Sequence, residues 1–315
     1  MTRVNVLRGI LALAILVAVG YAGRALDMHA VVRLLAQADP RWLAIAILCY
    51  GAVLPLWALE WHLLAPRSPT NSWPRMLGIV ALTSTILNTS AFLVGEVAGA
   101  GLLVTRAGLA PGESVAVLAM DQLLVGIAKC TLFATAGALF VLPPGVRTSL
   151  PLLVGGVSAL AMIVAVLSTS PAGVVRRVRM FSPRLADWLR EASRGLAVLA
   201  NPAVLATVVL LSLLKKGCEV VALIAGMRMF GMSLAPETAI LALAVLNMAT
   251  LLPIIPGNLG PFEGALVLVY TQLGMSAEKA LAIAVLQHAC YFVALAVPGC
   301  GWLFASSARR VAPAS

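Results

Sequence analysis

The chain reads as an all-α, polytopic integral membrane protein with two inverted-topology repeats, each carrying a broken or re-entrant helix pair. Three observations predict this. Hydrophobic residues make up 61% of the 315 positions and charged ones 11%, with mean hydropathy +1.01; a soluble domain is nearer roughly a quarter charged. Two apolar stretches are interrupted by glycine- and proline-rich runs, at Gly95 to Gly101 and at Pro253 to Gly264. The basic residues gather in a few polar segments, as positive charge does on the cytoplasmic side of membrane proteins.

The elements follow in order. Span one runs from Leu7 to Gly23; Arg3 and Arg8 precede it, and with so many spans following it reads as a retained helix rather than a signal peptide. An amphipathic link, Arg24 to Arg41, leads to span two, Trp42 to Leu64, which contains Pro55 and Glu60. After the turn Ala65 to Pro74 comes an apolar arm, Met76 to Val94, carrying Thr83, Ser84, Thr85, Asn88, Thr89 and Ser90. The glycine run Gly95 to Gly101 is expected to break it, and Leu102 to Leu109 forms a short second arm. Ser114 to Leu142 and Leu150 to Ser168 are uninterrupted spans. A basic segment, 171–195, holds Arg176, Arg177, Arg179, Arg184, Arg190 and Arg194 and reads as a cytoplasmic loop; contact with anionic headgroups suits it. Pro202 to Phe230 is the next span, with Lys215, Lys216 and Glu219 near its centre. Pro236 to Leu252 and Ala265 to Leu273 are the arms flanking the second break, and Ser276 to Phe304 is the last span.

With the N-terminus inside, every larger arginine cluster falls on the cytoplasmic side and both termini are cytoplasmic. Residues 1–142 form one repeat, 143–305 the other, and 306–315 a short tail. Each half reads as two spans, a broken arm pair and one span, and the two breaks enter from opposite faces, as in several transporter classes. Chance similarity between apolar sequences is the competing reading of this symmetry. The arms either re-enter or fully cross.

Pro253-Ile254-Ile255-Pro256-Gly257-Asn258-Leu259-Gly260-Pro261-Phe262-Glu263-Gly264 is the stretch around which the chain is organised. Proline removes a donor and clashes with the preceding turn, and open backbone at membrane depth needs cover from protein or a water-filled cavity. The stretch is either a helix break inside the bundle, with Glu263 beside a ligand path, or a polar loop at the surface. Ionisable groups at this depth face a cavity or a partner, so the candidate binding residues are Glu96, Asp121, Lys129, Lys215, Lys216, Glu219, Asn258, Glu263 and His288. Lys215 and Glu219, four apart, are placed to pair along one face; such pairs also simply hold bundles together. Gly99, Gly101, Pro256, Gly257 and Gly260 are candidates for hinging or close backbone approach.

Several chemistries are not suggested. There is no Gly-rich phosphate loop ending in Lys-Ser or Lys-Thr, no Gly-x-Ser-x-Gly elbow, and no helical His pair for a metal. Cys49, Cys130, Cys218, Cys290 and Cys300 form no Cys-x-x-Cys pair. No enzyme activity, cofactor, metal or nucleic-acid partner is expected.

The run Leu252 to Gly264, followed by Leu273-Gly274-Met275-Ser276-Ala277-Glu278-Lys279-Ala280-Leu281-Ala282, resembles the membrane region of the lysylphosphatidylglycerol synthase/flippase family, and Gly95-Glu96 through Gly108-Leu109 fits that family's earlier pattern. The resemblance implies a lipid flippase or transporter in a bacterial cytoplasmic membrane. Its cargo would be a polar-headgroup lipid: an anionic phospholipid, an aminoacyl-phospholipid, or a polyprenyl- or hopanoid-type lipid. A stand-alone member without the soluble synthase domain is expected, with membrane lipids and a lipid-synthesising enzyme as partners. The rival reading is a non-transporting partner subunit of a lipid-modifying enzyme or glycosyltransferase. One departure stands out. The family commonly places an Arg in the span after each break, where this chain has Asp121-Gln122 and Gln287-His288. A phosphate would then be held otherwise, by Lys129, Lys215 or Lys216.

Overall fold

The computed structural model describes residues 27–68, 71–90, 92–233, 235–251 and 255–311. Span one and Leu252-Pro253-Ile254 of the second break lie outside the described residues. Among the described residues the chain is all helical: α1 (Met28–Ala36), α2 (Pro40–Leu64), α3 (Trp73–Thr89), α4 (Phe92–Ala107), α5 (Pro111–Leu139), α6 (Pro144–Thr169), α7 (Pro171–Arg179), α8 (Pro183–Leu196), α9 (Pro202–Arg228), α10 (Pro236–Ala249), α11 (Pro261–Gln272) and α12 (Ala277–Val311). Short 3-10 turns lie at Ala197–Ala200 and Pro256–Asn258. Among the described residues four helices are long and apolar enough to cross a membrane: α2, α5, α6 and the Ala277–Leu303 part of α12. A fifth candidate is the α8–α9 pair, bent by 92° between Pro183–Ala200 and Pro202–Arg228.

Proline punctuates this chain chiefly by starting helices. It stands at the first position of α2, α5, α6, α7, α8, α9, α10 and α11, where its missing N–H is no loss and its fixed φ suits the helix. Side chains complete several of these starts: Asp39 accepts from Arg41 N (2.8 Å), Asn201 from Ala203 N (3.0 Å) and Glu113 from Ala110 N (3.0 Å).

Several boundaries differ from the sequence reading, α6 for instance starting at Pro144 rather than Leu150, and four of the differences bear on how the helices pack. The first break is at Ser90, not at Gly95 to Gly101, which is helical within α4. Thr83, Thr85, Asn88, Thr89 and Ser90 each bond a carbonyl four residues back, and Ser90, with φ −132° and ψ −175°, leaves the helix; side chains that serve backbone groups compete with the ladder. The glycines instead let α3 and α4 pack closely. A Cβ on Gly95 would strike Leu87, and one on Gly99 would meet Thr83 and Trp61. Gly95 and Gly99 thus face Leu87 and Thr83 as an antiparallel small-xxx-small contact. Second, α11 starts at Pro261 rather than Ala265, because Pro261 and Glu263 supply a helix start. Third, the basic segment is two helices, α7 and α8; Ala186, Ala192, Gly195 and Leu196 are buried, and Glu191 accepts from Gly112 N of α5 at 3.0 Å. Fourth, the link before α2 contains a helix, α1, capped by Asp27.

Helices from the two halves of the sequence interleave. The most extensive pairings are α2 with α9 and α3 with α12. One apolar core gathers α2, α3, α5, α9 and α12 around Trp61, Tyr50 and Leu124; a second gathers α10, α11 and α12 against the far end of α5, around Leu266 and Tyr270. In α6 only 11% of the most apolar stretch is buried, against 56% in α5, which places α6 at the periphery and α5 inside.

Candidate functional site

Two adjoining cavities lie among α2, α3, α5, α9 and α12. The larger, about 260 Å³, is lined by Trp57 on α2, Ser84 and Asn88 on α3, Glu96 on α4, Asp121, Gln122 and Lys129 on α5, Ser212, Lys215, Lys216 and Glu219 on α9, with Asn258 and Tyr291. The smaller, about 200 Å³, adds Tyr50, Leu243, Leu246, Asn247 and Phe262, and shares Lys129, Lys216, Glu219, Thr250, Asn258 and Tyr291 with the first. The shared wall therefore carries both cations that are not in the deeply buried cluster described next.

That cluster is centred on Lys215. Its Nζ lies 3.0 Å from Glu60 Oε1 and 3.7 Å from Asp121 Oδ1, and 5.9 Å from the Trp57 ring centroid. The side chains of Lys215, Glu60 and Asp121 are 7%, 0% and 4% exposed. Two carboxylates so face one ammonium inside the bundle. Lys216 does what the sequence reading assigned to Lys215: its Nζ bonds Glu219 at 2.6 Å, three residues on, and reaches Asn247 Oδ1 at 3.4 Å. The reason is rotational. Consecutive residues of a helix point in different directions, and α9 presents Lys215 to Glu60 of α2 beside the larger cavity while Lys216 lies on the wall that both cavities share. Lys129 lines both cavities and, among the described residues, makes no ion pair and no hydrogen bond to a protein group.

The two post-break glutamates make parallel contacts. Gln122 Nε2 donates to Glu96 Oε1 at 3.1 Å, and His288 Nδ1 and Glu263 Oε1 share a hydrogen bond of 2.6 Å. In each half the second residue of the pair noted in the sequence, Gln122 of Asp121-Gln122 and His288 of Gln287-His288, meets the glutamate that follows the break. Their settings differ. Glu96 lines the larger cavity, whereas Glu263 and His288 line neither. Glu263 also accepts from Gly260 N at 2.8 Å, and His288 stacks on Phe262 with ring centroids 4.1 Å apart. Gln287 bridges helices, donating to Leu223 O of α9 and accepting from Tyr270 of α11.

The breaks meet each other. Gly257 (φ +65°) and Gly260 (φ +92°) adopt the left-handed region, as does Asn258 (φ +53°). A Cβ on Gly257 would come within 3.0 Å of the Asn88 carbonyl, so the 3-10 turn that Pro256 opens docks on the end of α3. Gly99 serves close approach; Gly101 has nothing within 4 Å of its Cβ position. Of the expected site residues, Glu96, Asp121, Lys129, Lys215, Lys216, Glu219 and Asn258 converge on the cavities.

Glu60 is the site residue that sequence reasoning passed over. Its signal was present: a carboxylate inside a 25-residue apolar helix, between Trp57 and Trp61. An acid at that depth needs a partner, and the partner stands 155 residues away. Asn88 and Tyr291 were likewise not singled out as lining residues.

The family described as the lysylphosphatidylglycerol synthase TM region matches residues 7–299. No curated protein and no solved structure matches the chain.

Proposed function

Since this multi-pass membrane protein belongs to the lysylphosphatidylglycerol synthase membrane-region family, we propose that it is a lipid flippase or transporter. It moves a lipid with a phosphate-bearing polar headgroup between leaflets, and it is a carrier rather than an enzyme. Lys129 carries this reading. A cation at membrane depth calls for a counter-charge, and Lys129 meets no acid directly while facing both cavities. A phosphate entering the cavities supplies that charge. Lys216, beside it, is shared with Glu219 and is the second contact. Lys215 is excluded from this role because Glu60 and Asp121 already occupy it.

The acyl or isoprenoid tails stay in the bilayer while the headgroup uses the cavities. The paired contacts Glu96–Gln122 and Glu263–His288 support an inverted repeat, with residues 1–142 and 143–305 as its halves. The arginine-rich face of α7 and α8 supports a cytoplasmic position for that segment in a bacterial inner membrane.

The test is leaflet transfer in proteoliposomes, with labelled phosphatidylglycerol, aminoacyl-phosphatidylglycerol and a polyprenyl-phosphate sugar. Wild type is expected to move at least one of them selectively. Lys129→Ala should slow it by roughly 10- to 100-fold, since a charge-assisted contact is worth about 1.5–3 kcal/mol. Transfer by Lys129→Ala at the wild-type rate would overturn the headgroup site. A folded wild type that moves no lipid, even with the cell's own lipid extract and a proton gradient, would favour a non-transporting partner subunit. That alternative draws on Met180 and Phe181, 75% and 85% exposed at the α7–α8 turn among arginines.

A further inference from the structure

We infer that the Glu60–Lys215–Asp121 cluster is a proton-binding site, and that it loads together with the anionic headgroup; the second clause rests on the headgroup reading above. When all three groups are ionised, two negative charges face one positive charge, all deeply buried. Uncompensated charge in such a place is strongly disfavoured. One proton on the carboxyl pair brings the cluster to neutrality.

The polar atoms that would receive it are in place. Among the described residues the carboxyl oxygens Glu60 Oε2 and Asp121 Oδ1 are buried and make no hydrogen bond to another protein group, and Ser212 Oγ is likewise buried without one, a hydroxyl that does not take the proton and can only accept a hydrogen bond from the protonated carboxyl. Both carboxyls lie against the one Lys215 ammonium, at 3.0 and 3.7 Å, which brings Glu60 and Asp121 close to each other. A metal cation suits the cluster poorly, because the Lys215 ammonium already stands 3.0 and 3.7 Å from the two carboxylates. Among the described residues the surroundings add no compensating cation at contact distance. On α2 the neighbour is Trp57; on α4 Glu96 lines the same cavity as Asp121; α3 and α12 bring Ser84, Asn88 and Tyr291 to that cavity. Lys129, Lys216 and Glu219 stand across that cavity.

Asp121 and Lys215 line the cavity whereas Glu60 does not, so the cavity reaches the cluster on its Asp121 side. A phosphate on Lys129 and Lys216 adds negative charge beside the cluster and favours protonation there. Linkage makes the effect reciprocal: the proton strengthens binding of the phosphate. Phospholipid affinity should therefore fall as pH rises through the range in which the proton leaves, by up to roughly tenfold per pH unit for one linked proton.

The experiment uses full-length protein in nanodiscs, wild type beside Asp121→Asn and Glu60→Gln, with two readouts. Infrared spectroscopy follows the band of a protonated carboxyl across pH. Titration with fluorescent phosphatidylglycerol gives Kd at each pH. The expected result is a carboxyl band in wild type that titrates and is lost or displaced in both variants, with a pH-dependent Kd that becomes flat in either. Two variants guard against one failing to fold. A band that persists unchanged in both variants, or absence of any titrating carboxyl in wild type, overturns the proton site. An identical Kd-versus-pH slope in wild type and both variants overturns the coupling. If wild type shows the band and the variants remove it, yet phosphatidylglycerol and a polyprenyl phosphate bind at no pH, the headgroup reading fails while the proton site stands.

Discussion

Lys215 and Lys216 are adjacent in sequence and belong to different networks. Lys215 is committed to Glu60 and Asp121; Lys216 turns to Glu219 and Asn247. Removing the Lys215 charge would leave two buried carboxylates facing one another. Lys215→Met should therefore destabilise the protein by about 3–5 kcal/mol, read by thermal unfolding in detergent. Adding Glu60→Gln and Asp121→Asn to Lys215→Met should recover most of that loss, because the charges that suffered are gone. At Glu263 the expectation is milder. Glu263→Ala loses the Gly260 N–H and the His288 contact, and loss of a cap of this kind costs about 0.5–2 kcal/mol. The same measurement checks it; an unchanged melting temperature would show that the contact contributes nothing net.

The α3–α4 hairpin shows what glycine does when water is scarce. In a bilayer a helix keeps its backbone bonds, because no solvent replaces them. Glycine there does not break the helix; it lets a neighbour approach. Gly95→Leu should push Leu87 away and cost about 1–3 kcal/mol by overpacking, whereas Gly101→Ala, with open space around its Cβ position, should be neutral or stabilise by up to about 1 kcal/mol. Parallel unfolding curves of the two variants test this, and equal losses in both would sink it. The second break is of another kind. It needs left-handed backbone at Gly257, Asn258 and Gly260, and its proline and glutamate serve the start of α11.

At the scale of the whole molecule, burial separates two classes of helix. The interior of the bundle, through α5 and α9, carries the charged groups that line the cavities, while α6 turns Leu152, Met162 and Ile163 outward, with Met162 68% exposed. Such a surface belongs against lipid tails. Met162→Lys should disfavour membrane insertion by about 2.5–3.5 kcal/mol, seen as reduced membrane-integrated protein. Wild-type insertion would argue that α6 is covered by another protein surface instead. The interleaving of the halves, α2 on α9 and α3 on α12, also explains why the cavities draw on both.

The sequence by itself determined that this is a multi-pass helical membrane protein, where its main apolar helices lie, and that its polar chemistry is concentrated in a few intramembrane positions. Composition and hydropathy act over whole segments, and the family motif is local, so both are readable along the chain. Helix starts are local too, but apolar runs mark them late: a proline followed by a capping acid opens α5 at Pro111 and α11 at Pro261, where the apolar runs begin at Ser114 and Ala265. What only the tertiary structure decided is who meets whom. Glu60 and Lys215, 155 residues apart, and the contact of Gly257 with the Asn88 carbonyl depend on how α2, α3 and α9 pack and on their rotation about their axes. A helix rotates by about 100° per residue, so neighbouring lysines end in different networks. No spacing rule within α9 reveals which of them α2 will face, because that is fixed by the packing of both helices at once.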